Sequence, residues 1–505
     1  MQSGNHKNTE EEKKLQPSMA DFTSKCATGK KDARLITGQS ADTAHIVALH
    51  LGLPDIAPVP RTCIRARSLF NQPVTAKKTQ ALLQAAAYGD YKKVNDILTA
   101  NPLLLLEKGT VMDYSGRVHK DRTVYQIAKG ACDHNVIAKG EIVVEGMVEM
   151  IEEHFKDLPM PESFVTNMMK LIEQAKTAGK LSEDQAKNEI ENLTKYPEVY
   201  YINKVMRDQH EGQFPPGHEA KEAERVQQDR DADHKLMKVL EATSDADVTM
   251  TSDLDDKIHR IIRIGITDEE KLTLNDEEKA TAEIRANELR RLVSIVMKAP
   301  SDEVFNHAFE TFRIFLIVQD GFIKKDDVFD FELLKALYQF RNHLEPKEEQ
   351  TFGKHYNHQL LADVAQSYDD NYVRFGNHWN SPKNKFCWQK RLGWVERGVP
   401  ACDAQVIAQG PWAVLENGEK SRRSLEFTYG GGSYYPLAAD PNWEIGYSNA
   451  AGSLGNWRSA ACGGSLGSTV LSKLMSSKNT SAHAYATSIP SATKEKPLRS
   501  IVECR

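Results

Sequence analysis

Cys402 has the strongest claim to chemistry of any residue in this chain. It follows Pro400 and precedes Asp403, at the start of Pro400-Ala-Cys-Asp-Ala-Gln-Val-Ile-Ala-Gln-Gly410, which reads as a short buried helix. A thiol in a first helical turn is favoured as thiolate by the helix dipole. His378 and Asp403 are the candidate partners for a Cys-His-Asp arrangement, in which a base activates the sulfur and a carboxylate orients the base. The same thiol could equally be a small apolar group packed beneath the tryptophans, because free cysteine is among the most buried residue types.

Two further constellations read both ways. His355 and His358 lie three apart, so a helix would carry both on one face, and Asp363 or His378 could complete a metal set. As two polar surface residues they need no metal, and none is expected. The run Gly430-Gly431-Gly432-Ser-Tyr-Tyr-Pro436 could wrap an anion in backbone N–H groups, with Arg422 and Arg423 as a basic rim. Such a run also serves as a plain loop between anchoring aromatics.

The familiar catalytic signatures are not read here. Thr28-Gly-Lys-Lys31 is only a fragment of a phosphate-binding loop, no His-Glu-x-x-His is found, and the Gly-x-Ser-x-Gly spacing occurs only as Gly463-Gly-Ser-Leu-Gly467, in a Gly/Ser tract that repeats Gly452-Ser-Leu-Gly455 and is not read as a nucleophile elbow. His218-Glu219 lacks the second histidine. The acidic stretch 243–256, read as a loop, lacks the glycine and glutamate spacing of a calcium hand. No cofactor is expected.

The elements that must position these residues make a mainly α protein. At 505 residues the length suggests about three domains. A net charge of -6 argues against nucleic acid as partner. The most apolar helix, Phe309 to Val318, contains Arg313 and falls well short of the ~20 residues a membrane span requires. The N-terminal residues show no signal-peptide core, and seven scattered cysteines without a Cys-x-x-Cys pair suit a reducing, cytoplasmic compartment.

Along the chain, residues 1–20 read as disordered and 21–75 as a mixed segment, with Ala44 to Leu51 as a short buried helix. Residues 161–350 are helical in pattern, with a charged linker or solvated surface helix over about 206–260. Phe164 to Gln174 and Glu183 to Leu193 form a pair about the turn at Gly179. Asn275 with Glu278 predicts an N-cap, and the stripe Phe305, Phe309, Phe312 and Phe315 predicts core packing. All six tryptophans and fourteen of thirty glycines fall beyond residue 375, so 351–468 reads as a Trp/Gly-rich C-terminal domain, α+β or irregular α. Within it residues 412–429 read two ways: Asn417-Gly418 suits a hairpin turn and Leu425 to Tyr429 a strand, while the intervening Glu419-Lys-Ser-Arg-Arg423 would suit a helix equally well. A flexible tail is expected over 469–505.

The block 76–160 carries the clearest interaction signal. Leu83, Ala86 and Ala87 recur at helical spacing, Gly89-Asp90 makes a turn, and Val94, Ile97 and Leu98 line a second helix that Asn101-Pro102 stops. This pair resembles the helix pair of an ankyrin repeat, and Thr123-Val-Tyr-Gln-Ile-Ala128 falls where the next repeat has Thr-Pro-Leu-His-x-Ala. Glu141 to Phe155 is the candidate closing helix. Ankyrin-type units bind partners through loop tips and first-helix faces, which nominates Tyr88, Asp113, Tyr114, Arg117 and Tyr125 as contact residues.

Two blocks together resemble a known group. They are the helix pair with Leu106-Glu-Lys-Gly-Thr-Val-Met-Asp-Tyr-Ser-Gly-Arg117, and Pro400-Ala-Cys-Asp-Ala-Gln405 with Asp440-Pro-Asn-Trp-Glu-Ile-Gly-Tyr447. The chain resembles, over about a third of its length, ankyrin-containing effectors that Legionella- and Coxiella-like bacteria deliver through the Dot/Icm type IV secretion system. The resemblance implies delivery to a host cytosol and binding of a host protein, and it brings no catalytic residue with it. The expected function is therefore protein–protein interaction. The alternative is an enzyme of Cys/His type in the Trp-rich domain.

Overall fold

The computed structural model describes residues 64–113, 115–264, 275–318, 331–345, 352–378, 380–409, 411–424, 427–429, 432–435 and 473–475. The expected disordered stretch 1–20, the helix at 44–51 and nearly all of the tail lie outside these residues. The chain divides into two units, 1–82 and 83–505, and the cut falls inside helix α1 (Ile64–Ala87). The second unit is mainly helical and holds every candidate residue.

The turn after α1 forms as its residues predict. Gly89 takes φ +68°, which only glycine adopts without strain, and Asp90 caps α2 (Tyr91–Ala100) by accepting from the Lys93 N–H. Asn101 then ends the helix, and a 3₁₀ turn runs over Pro102–Leu106.

The next elements depart from a repeat of helix pairs. Strands β1 (Gly109–Met112) and β2 (Val118–Arg122) make an antiparallel hairpin. Thr123 and Gln126 form a reciprocal capping box that starts α3 (Val124–Gly130). Instead of a partner helix, a second hairpin comes next, β3 (Val136–Ala138) with β4 (Glu141–Val144). Lys139 and Gly140 both take positive φ, at 53° and 85°, as a two-residue type I′ turn requires. The expected helix from Glu141 therefore begins only at Met147, as α4 (Met147–His154), because β-branched Ile142, Val143 and Val144 are spent in the strand.

Helices α5 (Phe164–Thr177) and α6 (Glu183–Lys195) turn about Gly179 as read from the sequence. With α7 (Pro197–Gln213) they enclose a small core of their own, including Met168, Ile172, Leu193 and Tyr200.

The charged run is not a linker. It forms the end of α7, then α8 (His218–Ala242) and α9 (Asp245–Ile264), and the expected acidic loop is the first part of α9. The run hides an apolar face. Leu236, Met237, Leu240, Val248, Leu254 and Ile258 are buried in the main core, each worth about 1.5–3 kcal/mol of burial.

That core continues through α10 (Asp276–Met297), capped by Asn275 and Glu278, α11 (Asp302–Val318) and α12 (Phe331–Leu344). Phe305, Phe309 and Phe312 pack there, with the Phe309 and Phe312 rings edge to face at 5.8 Å. The same core takes in α13 (His358–Tyr372), Trp388, Trp394, Val406 and Met475. Residues on both sides of 350 share it, so the shift of composition there is not a boundary between separate cores.

Near the C-terminal end a continuous helical run holds α14 (Pro382–Phe386), a π-helical stretch over Cys387–Leu392, and α15 (Gly393–Arg397). Helices α16 (Ala401–Gln409) and α17 (Pro411–Leu415) come after it. Glu419 to Arg423 is irregular rather than helical. The hairpin here pairs β5 (Phe427–Tyr429) with β6 (Gly432–Tyr435), so Asn417-Gly418 is a turn outside it.

Candidate functional site

Helix α16 does place Cys402 in a first turn, but the triad does not assemble. Cys402 is 2% exposed and its Sγ donates to the Ala131 carbonyl at 3.6 Å. Asp403, one residue on, points elsewhere and meets His358 Nε2 at 2.8 Å. His378 is exposed beyond α13, where its carbonyl accepts from Ser381 Oγ and Asn384 Nδ2. A thiol sealed this way is expected to resist a water-soluble maleimide in the native protein and to react once urea unfolds it. Modification of the Cys402 peptide at the rate of a model thiol under native conditions would show that the seal is open.

The histidine set does not converge either. His358 is spent on Asp403. His355 precedes α13 rather than sharing its face, and its ring lies 4.2 Å from that of His119. A Cβ on Gly130 would come 2.1 Å from His355 Nε2, so glycine is required on α3 for the imidazole to seat there. Asp363 accepts from Arg230 at 2.6 Å. Among the described residues no group of three or more His, Cys, Asp or Glu is placed to hold a metal ion.

The nominated contact loop is built inward. Asp113, 6% exposed, accepts from the Ser115 and Arg117 N–H groups and from Ser115 Oγ, and pairs with His119 at 3.0 Å. Burial alone would raise its carboxyl, but His119, Arg117 and Ser115 outweigh that and hold it below the usual range. Arg117 is 7% exposed, and Tyr125 is fully buried with its hydroxyl donating to Glu152 at 2.8 Å. These three are therefore not surface contacts. Asp113 is spent in forming the loop, with the Arg117 guanidinium 3.6 Å from it, and the Tyr125 hydroxyl in seating α3. Tyr88 is half-buried, and Tyr114 lies outside the described residues.

The proposed basic rim is also taken up. Arg423 forks onto Asp133 with both bonds at 2.7 Å, and its guanidinium lies 5.5 Å from the Tyr91 ring centre. Arg422 is exposed, Gly432 pairs with Tyr429 in the β5–β6 hairpin, and Gly430 and Gly431 lie outside the described residues.

Among the residues the hairpins expose are several apolar ones. Ile137 and Ile142 face each other across β3–β4 and are 65% and 44% exposed, while Val136, Val143 and Val144 on the same strands are buried. Met112 on β1 is likewise exposed, as are Leu103 and Leu106 on the 3₁₀ turn.

The chain matches no protein-family model, no curated protein and no solved structure.

One cleft was not visible in the sequence. Its walls come from the β1–β2 loop, α8, the end of α12, the segment before α13, and α15. Arg117, Arg225 and Arg397 line it, with Asp229, His343 and Glu345. Asp229 is held by His343 Nε2 at 2.9 Å and Asn357 Nδ2 at 2.6 Å. Arg397 lies over the Trp394 ring at 4.9 Å. Burial raises the Glu345 carboxyl, against the pull of Arg397, Lys298 and Arg117. The lining residues come from five stretches between positions 115 and 398, so no local spacing could announce them. The one available signal, the charge of 206–235, reads first as a solvated face.

Proposed function

We propose that this chain is a protein-binding protein whose contact surface is the outward face of the β3–β4 hairpin, extended by the exposed apolar residues of the preceding block. The carrying observation is the Ile137–Ile142 pair. A half-buried antiparallel hairpin ordinarily turns polar residues to water. Here the inward residues are buried and the outward cross-strand pair is two isoleucines, a pair suited to forming the apolar centre of an interface. Taken with the resemblance to secreted effectors, the partner is a eukaryotic cytosolic protein. The rival reading, a Cys/His enzyme in 351–468, loses its support because Cys402 and His378 are not brought together.

The test is affinity capture from eukaryotic cytosol with the full chain and with the I137D/I142D double variant, read by quantitative mass spectrometry. The wild-type chain is expected to hold a specific partner, and the double variant to lose it at least tenfold with circular dichroism and Tm unchanged. A tenfold loss corresponds to about 1.4 kcal/mol, a modest share of what two central apolar anchors contribute. A partner held equally by both proteins would place binding on another surface and overturn this reading.

A further inference from the structure

We propose that the outward face of the α10–α11 pair docks a second copy of this chain, antiparallel about a two-fold axis. The two helices pack side by side and bury one side each in the main core, through Leu289, Leu292 and Val296 on the first and Phe305, Phe309 and Phe312 on the second. Their opposite sides are not purely polar. Ile284 on α10 is 69% exposed, and Ile295 is exposed further along the same helix. Val304, Ile314, Ile317 and Val318 are exposed on α11. Single exposed apolar residues are ordinary, whereas these gather on one pair of helices.

Their order selects the occupant. Ile284, Glu288, Arg291 and Ile295 follow one another at steps of four, three and four residues, so they form one stripe along α10. The stripe has the same plan from either end: apolar, charged, charged, apolar. Arg291 forks onto Glu288 within it, at 2.8 and 2.6 Å. When two such stripes meet antiparallel, Ile284 of one copy faces Ile295 of the other. Glu288 then faces the other copy's Arg291, and a ring of four alternating charges closes at the centre. Parallel docking would instead set Glu288 against Glu288. On α11, Val304 near the start and Val318 at the end face each other under the same axis. A surface that complements itself in this way is what a two-fold, isologous contact requires.

The size of the face sets the strength. The 17 residues of α11 run about 25 Å, and two helices side by side present a face about 20 Å wide. That amounts to about 500 Å² a copy and about 1,000 Å² in all, the lower bound for a specific interface. The association is therefore reversible, with monomer and dimer exchanging at micromolar concentrations. The surface shares no residue with the β3–β4 hairpin, so the dimer and the partner reading stand or fall separately.

The experiment uses the full chain. Sedimentation equilibrium from about 1 to about 200 µM is expected to show a reversible monomer–dimer equilibrium. I284D/I295D should raise its dissociation constant at least tenfold, and R291E at least threefold. The charge swap E288R/R291E should return it close to the wild-type value, because antiparallel docking again pairs opposite charges. A short amine-reactive cross-linker then reads the geometry on the unaltered protein. Lys279 and Lys298 lie at opposite ends of α10, about 28 Å apart and beyond its reach within one copy, whereas antiparallel docking sets Lys279 of one copy against Lys298 of the other. A Lys279–Lys298 link confined to the dimer is the expected result. A chain that stays monomeric at 200 µM, a dimer indifferent to I284D/I295D, a charge swap no tighter than R291E, or a dimer without that link would each overturn the proposal. The cross-link decides the matter even if a variant does not fold.

Discussion

Asp255→Asn is expected to destabilise the protein by about 3–5 kcal/mol, the usual cost of removing one partner from a buried ion pair. Asp255, Arg341 and Lys390 have side chains with no exposed surface. Arg341 forks onto Asp255 at 2.7 and 3.0 Å, and Lys390 reaches the same carboxylate at 3.0 Å and Asp256 beside it. Two cations thus face two carboxylates, of which only Asp255 is buried. The amide that replaces the carboxylate is neutral, so Arg341 would keep its charge in the core without its counter-charge. Burial by itself raises the Asp255 carboxyl, but Arg341, Lys390 and His259 overcome this and set it well below the ordinary range. A depressed carboxyl gives stability that is present above the unfolded-state value near 4 and is lost as pH falls through the depressed value. Urea midpoints from pH 7 downward should therefore show the wild type losing this advantage only in strong acid, with the variant weaker throughout. A triple replacement of Asp255, Arg341 and Lys390 by Leu, Met and Leu should recover much of the loss, since an apolar substitute avoids the desolvation cost. A near-neutral Asp255→Asn variant would mean that water reaches the cluster.

Glu396→Gln is expected to act in the opposite direction. Glu396 sits on α15 with 1% exposure, and burial pushes its carboxyl up to about 8. Between about 4.5 and 8 the folded protein holds a proton that the unfolded chain has released. A raised carboxyl therefore contributes stability that is full below the unfolded value and is lost as pH rises through the folded one, by up to about 1.4 kcal/mol per pH unit. Glutamine keeps the shape and never ionises. The variant should match the wild type near pH 5, exceed its Tm increasingly up to about pH 8, and hold a constant margin above that. Parallel Tm curves for the two proteins from pH 5 to 9 would show that Glu396 stays solvated.

Long, locally signalled elements were legible from residue order. Asn275 and Glu278 close a capping box where their spacing places one, the phenylalanines of α11 face the core, and Gly179 and Gly89 turn the chain where read. These arise from contacts within a few residues. The strand at Phe427–Tyr429 fell within the stretch read as one, but the strands of the first two hairpins did not announce themselves, because three or four residues with β-branched side chains also fit the end of a helix, and the Lys139-Gly140 turn gave no stronger hint than any other Gly. The charged run misled for a different reason. In α8 and α9 the apolar residues are thinly spaced among acids and bases, and some of those ions are themselves core. Arg391 in the π-helical stretch, fully buried, forks onto Asp233 of α8 with its Nη2 at 2.7 Å. Pairing over that sequence distance has no local trace. The candidate sites failed likewise: Tyr125, Arg117 and Cys402 have the residue types of function, and long-range packing decided that they are interior.

Helix α16 and the segment after α17 reach back across most of the chain. Gln405 donates to the Gly89 carbonyl, Cys402 to the Ala131 carbonyl and Arg423 to Asp133, across 316, 271 and 290 residues, and the Ser421 N–H donates to the Val143 carbonyl. During synthesis at about 5–20 residues per second, some 15–60 s pass between the emergence of Asp133 and that of Arg423. Through that interval the first-made hairpins have neither the arginine that neutralises Asp133 nor the backbone that pairs with β4. This early-made block is thus among the last to be completed, and it spends the wait with the Ile137–Ile142 hairpin within reach of any chaperone that favours apolar surface.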